Sequence, residues 1–246
     1  MDLTGLIIGG VSLFIGGVLK GATGAGAPLL AIPLLSMLYD VPLAVAVMTV
    51  PSLVSNSWQA WHFRESRPRP LLIWGFAVAG AVGTVTGSLM LAAFAPDLLL
   101  LIVALAVLLY ICFRLLQPGW RLGEALAARL SVPAGLLGGV LQGATGISAP
   151  VSITFLNAIS LERATFIVTI STFFAASAVV QIPFLYGLGI LSFERMILSV
   201  AALAPLFAGM PVGARLARRI DRATFDKIIL AILGVISLRL VWSAIV

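Results

Sequence analysis

Gly16-Gly-Val-Leu-Lys-Gly-Ala-Thr-Gly-Ala-Gly-Ala-Pro28 returns as Gly138-Gly-Val-Leu-Gln-Gly-Ala-Thr-Gly-Ile-Ser-Ala-Pro150, with ten of thirteen positions identical at an offset of 122. The correspondence continues outward: Asp40 falls on Glu162, Ser55 on Ser177 and Gln59 on Gln181. After an apparent gap of four residues, Gly83 and Gly87 fall on Gly209 and Gly213. The chain is therefore read as two copies of one unit. Gly/Pro-interrupted apolar segments at matching places in two halves are the sequence mark of a binding site between repeats of a membrane protein.

Composition agrees with a membrane location. Of 246 residues, 61% are hydrophobic and 10% charged, and the mean hydropathy is +1.16. Soluble domains carry about 25% charged residues. No separate hydrophilic domain is visible, so function has to reside within the bilayer. The net charge of +6 does not argue for nucleic acid, because the basic residues lie in short loops between apolar segments, as orientation signals do. The lone Cys112 excludes an intramolecular disulfide and a Cys-based metal site. The N-terminus has only Asp2 before its first apolar stretch. It reads as a retained segment rather than a removed signal peptide.

The predicted fold class is an all-α polytopic membrane protein of two inverted-topology repeats. Repeat 1 covers 1–117, with a broken-helix hairpin at 3–38 and spans at 41–62, 71–94 and 98–116. A cytoplasmic linker follows at 118–129. Repeat 2 covers 130–246, with a hairpin at 130–160 and spans at 164–185, 190–213 and 225–246. The hairpin pieces at 130–143 and 147–159 are read as too short to cross comfortably. Unwound backbone at that depth requires burial in protein or a cavity.

Charge orients this arrangement. Placing Arg64, Arg67 and Arg69 in the cytoplasm also places Arg114, Arg121, Arg129, Arg163, Arg215, Arg218, Arg219, Arg222 and Lys227 there. Only Arg195 and Arg239 fall on the opposite side, with Asp2, Asp40, Asp97 and Glu194. This is a strong positive-inside bias. It puts both termini outside, and it makes the 64–70 loop cytoplasmic while its counterpart near 187–194 is external.

The repeated Gly-Ala-Thr-Gly stretch has two readings. Glycine lets the chain leave the helix and lets backbone approach a ligand, and helices restarting after Gly24 and Gly146 would turn unpaired N–H groups toward an anion. The candidate substrate contacts are then Lys20, Gly21, Thr23, Gly24 and Gly26 in the first copy. Gln142, Gly143, Thr145, Gly146 and Ser148 match them in the second, with Gln59 and Gln181 completing the shell. The second reading is close helix packing through small residues. Lys20 is the sole charged residue well inside a segment, and its counterpart is the neutral Gln142. It either neutralises an anion or snorkels to the interface. Ser55, Asn56, Ser171, Thr172 and Ser177 are secondary polar candidates.

The stretch Gly21-Ala-Thr-Gly24-Ala-Gly-Ala-Pro-Leu-Leu-Ala-Ile-Pro33-Leu-Leu35 resembles the Gly-rich signature of the sulfite exporter TauE/SafE family, also known as DUF81 or four-toluene-sulfonate-uptake-type permeases. Gly143 to Pro150 occupies the family's second signature position. Many members carry three consecutive glycines where this chain has Gly26-Ala27-Pro28 and Ser148-Ala149-Pro150. The resemblance spans essentially the whole chain. It implies a transporter, not an enzyme, in a bacterial plasma (inner) membrane, moving sulfite or sulfonate-like anions.

No cofactor or metal is expected. The expected partners are a small anionic substrate and the lipid bilayer, and a homodimer is compatible with the sequence. Proton coupling would run with the substrate as a weak acid, or through Asp40 or Glu162, since acids occur only at predicted ends and loops. The single His62, beside the basic loop, is read as interfacial. An anion channel of the same fold, or a permease for another small organic anion, is the alternative function. An intramembrane enzyme lacks the nucleophile–base pair or paired carboxylates it would need.

Overall fold

The computed structural model describes residues 3–117, 120–219 and 222–245. These form eleven α-helices and no strand. The first half holds α1 (Leu3–Thr23), α2 (Ala27–Ser36), α3 (Val41–His62), α4 (Pro70–Ala93) and α5 (Pro96–Leu116). The second holds α6 (Glu124–Thr145), α7 (Ser152–Ala158), α8 (Arg163–Gly187), α9 (Phe193–Ala201), α10 (Leu203–Leu216) and α11 (Arg222–Ile245). Among the described residues, seven stretches are long and apolar enough to cross a membrane, α9 and α10 counting together.

Two sequence expectations change in detail. The first arm of the second hairpin does not start at 130: α6 begins at Glu124 and has 22 residues, enough to span. Its opening turns carry Arg129, a charge that reads as part of the linker. Only the returning arms, α2 with ten residues and α7 with seven, are short. The expected span at 190–213 divides into α9 and α10 at Ala202. Pro205 explains the break, since its ring displaces the carbonyl four residues earlier, at Ala201, where α9 ends.

Local chemistry sets most other boundaries. The Asp40 side chain caps α3 by accepting from Leu43 N–H at 2.6 Å, a use of the carboxylate that suffices to explain its position. Pro51 lies inside α3 and frees the carbonyl of Val47. Ser199 of α9 donates to that carbonyl at 2.9 Å and accepts from Val50 N–H at 3.0 Å. A kink in the first half is thus held by a hydroxyl from the second.

Contacts along the helices fix their directions. A Cβ built on Gly17 would meet Leu206 O, and one on Gly21 would meet Met210 O, so α1 and α10 run parallel. Gly135, Gly139 and Gly143 of α6 sit on Phe76 O, Gly80 O and Thr84 O in the same sense, so α6 runs parallel to α4. Gly138 lies against Phe173, and the Gln181 amide donates to Gly143 O at 3.4 Å, which makes α6 parallel to α8. Each half therefore places its first helix against a helix of the other half. The α3–α8 and α5–α11 pairs complete the bundle.

The outer surface is apolar. Trp58, Trp61, Leu71 and Trp74 are exposed beside the Arg64–Arg69 loop, and the Arg64 guanidinium lies 4.6 Å above the Trp61 ring. His62 stacks on Trp58 at 5.3 Å. Aromatic rings next to cations are the arrangement of a membrane–water boundary.

Candidate anion site at the two turns

The two Gly-Ala-Thr-Gly copies form the same turn. Gly24 N–H donates to Lys20 O at 2.7 Å, and Gly146 N–H to Gln142 O at 2.8 Å. Gly24 and Gly146 have φ of 83° and 70°, the left-handed region that glycine occupies without a Cβ clash. Each turn is anchored in the opposite half. The Cβ position of Gly24 meets Ile167 of α8, and that of Gly146 meets Ile32 and Val45. Val45 and Ile167 are themselves repeat counterparts.

The hydroxyls of Thr23 and Thr145 are engaged by the backbone of their own turns. Thr23 Oγ1 bonds Leu19 O at 2.8 Å and Ala25 O, and accepts from Ala25 N–H at 3.3 Å. Thr145 Oγ1 bonds Leu141 O at 2.8 Å and Ile147 O at 3.3 Å, and accepts from Ile147 N–H at 3.1 Å. Every partner is a repeat counterpart of the other. Thr145→Val should therefore lower stability by about 1–3 kcal/mol, because it strands the buried Ile147 N–H. Thr145→Ser, which keeps the hydroxyl, should stay close to wild type. Thermal unfolding midpoints in detergent check this.

Beyond the turns the copies diverge. Gly26, at φ 93°, leads directly into α2. Ser148 does not adopt positive φ; its Oγ bonds Ser152 Oγ at 2.7 Å, and α7 starts only at Ser152. A helix restarts directly after the first turn, and after the second only at Ser152. Gly21 and Gly143 serve helix packing, with Cβ positions 1.9 Å from Met210 O and 2.3 Å from Thr84 O.

Lys20 is buried to 2% exposure, so it does not snorkel. Its Nζ donates to Asn56 Oδ1 at 2.5 Å, and Asn56 Nδ2 is held by Ser52 O at 2.7 Å and Ser52 Oγ at 3.1 Å. No carboxylate pairs with Lys20 among the described residues. Other candidates meet across the halves: Ser171 Oγ donates to Gln59 Oε1 at 3.2 Å. Ser55 and Thr172 bond carbonyls in their own helices, Pro51 O at 2.6 Å and Val168 O at 2.7 Å. Gln142 Oε1 and Ser177 Oγ are buried without a partner.

A cavity of about 600 Å³ opens beside the first turn. Thr23 and Gly26 line it, with Tyr110, Arg114, Asn157 and Arg163. The Arg163 guanidinium donates to Ala22 O at 3.2 Å, in the last turn of α1. Residues 142–150 are buried and do not line this cavity. Each turn is thus anchored in the opposite half, but the two do not share one opening. Sequence reasoning did not single out Arg163 or Ser199. Pro51 was the available signal for Ser199, because an interior proline requires an outside donor for the carbonyl it frees.

A helical bundle with an apolar exterior, cross-anchored broken hairpins and a buried ammonium held by a neutral amide is a multi-pass membrane protein with a polar interior. The sequence profile of the family Sulfite exporter TauE/SafE matches residues 8–240, and the chain belongs to that family. Members are membrane transporters of the sulfite- and anion-exporter type. No curated protein and no solved structure matches the chain.

Proposed function

We propose that the chain is a secondary transporter of small sulfur-containing anions, sulfite or organosulfonates, that works by alternating access. The observation that carries this reading is Lys20, an ammonium buried in the bundle whose recorded partner is a neutral amide. An uncompensated cation at such a place is costly unless an anion joins it. The first turn lies one helical turn from Lys20 and borders the cavity, whose lining stops short of the buried Lys20 itself.

Helix directions support inverted repeats. The short connection from α3 to α4 reverses the chain, and α4, α6 and α8 run together. So α8 opposes its counterpart α3. Likewise α10 returns from α8 and runs with α1, so α1 opposes its counterpart α6. Two hairpins related in this way bring their turns in from opposite sides, the geometry of a site exposed alternately to each face. The cavity is walled by Arg114 and Arg163, on the arginine-rich side that we assign to the cytoplasm of a bacterial plasma membrane, with both termini outside. The buried second turn closes the other side. One open turn and one closed turn favour a carrier over a continuous channel.

Counterflow in liposomes tests the proposal. Purified protein preloaded with sulfite should drive saturable uptake of labelled sulfite or of a small sulfonate. Large ohmic currents without saturation would identify a channel. No flux of any sulfur-containing anion would overturn the substrate class.

A further inference from the structure

The second half carries a polar cluster for which anion transport has no use as it stands. In α6, Gly138 lies against Phe173 of α8 and Ser152 of α7. Since α6 and α8 run parallel, one turn further along both brings Gln142 level with Ser177. The chain returns after the turn, so Ser148, one turn before Ser152, reaches the same level. This register places four polar residues at one level: Gln142, Ser177, Ser148 and Ser152. They are 5%, 1%, 1% and 0% exposed. Gln142 Oε1 and Ser177 Oγ have no hydrogen-bond partner, while the Ser148 and Ser152 hydroxyls bond one another at 2.7 Å.

The first half shows what this place holds. Gln142 is the counterpart of Lys20, whose ammonium bonds Asn56 Oδ1 at 2.5 Å. The counterpart of Asn56 is Ala178, so the second half has lost both the internal cation and its amide partner. What remains is a buried amide oxygen without a donor, at the level of three serine residues. An amide oxygen repels an anion and needs a donor or a cation. Hydroxyl and amide oxygens without a carboxylate suit a monovalent ion rather than Ca²⁺ or Mg²⁺, which recruit carboxylates. We infer that Gln142, Ser177, Ser148 and Ser152 form a binding site for a monovalent cation of sodium's size, at the position that the Lys20 ammonium fills in the first half. Such an ion would give the carrier a coupling cation and balance charge beside the second turn. It goes beyond the anion reading and is tested without transport.

The experiment is thermal unfolding of the full chain in detergent, titrated with NaCl against KCl and choline chloride at constant chloride and ionic strength. Wild type should show a saturable, sodium-specific rise in the unfolding midpoint of roughly 5 °C at a hundredfold excess over Kd. Gln142→Leu combined with Ser177→Ala should abolish the rise. Gln142→Lys should unfold at a midpoint indifferent to sodium, because it carries its own cation. Lys20→Gln should keep the full sodium response, which separates this site from the anion site. A wild-type midpoint equal in all three salts would overturn the proposal and leave a bound water as occupant. So would a sodium rise that survives the double substitution, or stabilisation by sulfite that requires Gln142 without any sodium effect.

Discussion

Lys20→Gln should lower sulfite or sulfonate counterflow by at least about tenfold while the protein still inserts and unfolds cooperatively. The expected size follows from a hydrogen bond to a charged group, about 1.5–3 kcal/mol, which is roughly ten- to hundredfold in binding. The companion change at Asn56 separates function from folding. Asn56→Leu removes the amide oxygen 2.5 Å from the ammonium and leaves the charge buried alone, so the folded state should lose stability by a similar amount. Lys20→Met with Asn56→Leu removes charge and partner together. That double variant should regain most of the lost stability, because an apolar pair replaces a polar one without stranding either group. It should not regain transport. A double variant that recovers counterflow would show that Lys20 only packs against Asn56, and the anion site would have to lie elsewhere. A thermal-stability and counterflow cycle over the four proteins measures both couplings.

The repeat was legible because two thirteen-residue strings differ at only three positions, and the structure folds both into one turn. The departure of the chain from the helix at the glycines followed from the same reading. The role of Thr23 and Thr145 did not. A threonine before a glycine can face a ligand or staple the turn, and only the positions of Leu19 O and Leu141 O decide between these. Gly26 and Ser148 occupy one alignment column, yet φ 93° at the glycine has no equivalent at the serine. That substitution delays α7 and leaves it at seven residues. The start of the second hairpin moved where charge suggested a loop: Arg129, at the end of the expected linker 118–129, lies within α6. A proline on a spanning helix proved a marker of cross-half contact at Pro51 and of a break at Pro205. Periodicity carries no information on which half supplies the neighbour, so the exchange of α1 and α6 between halves was not legible at all.

That exchange leads to the second large effect. Ordinarily an alanine in place of a helical glycine gains up to about 1 kcal/mol. At Gly21 and Gly143 the sign should reverse. The added Cβ would stand 1.9 Å from Met210 O in one case, and 2.3 Å from Thr84 O in the other. Backbone oxygen cannot rotate aside, so the helices must separate, at a cost of about 1–3 kcal/mol or more. The contacts are reciprocal, as Gly213 lies against Val18 O and Gly87 against Val140 O. These are the glycines that align between the repeats, in the small-residue spacing that lets membrane helices approach. Gly10→Ala and Gly234→Ala, where a Cβ meets nothing within 4 Å, supply the opposite sign as controls. Unfolding midpoints should fall for the first pair and hold or rise for the second. A rise at Gly21 and Gly143 would mean that α1–α10 and α4–α6 are not sealed. If they are sealed, neither half can move as one body: α1 must travel with α10, and α6 with α4. The moving units of alternating access would then each contain helices from both repeats, and their shared boundary would lie at α3 and α8, where Gln59 meets Ser171.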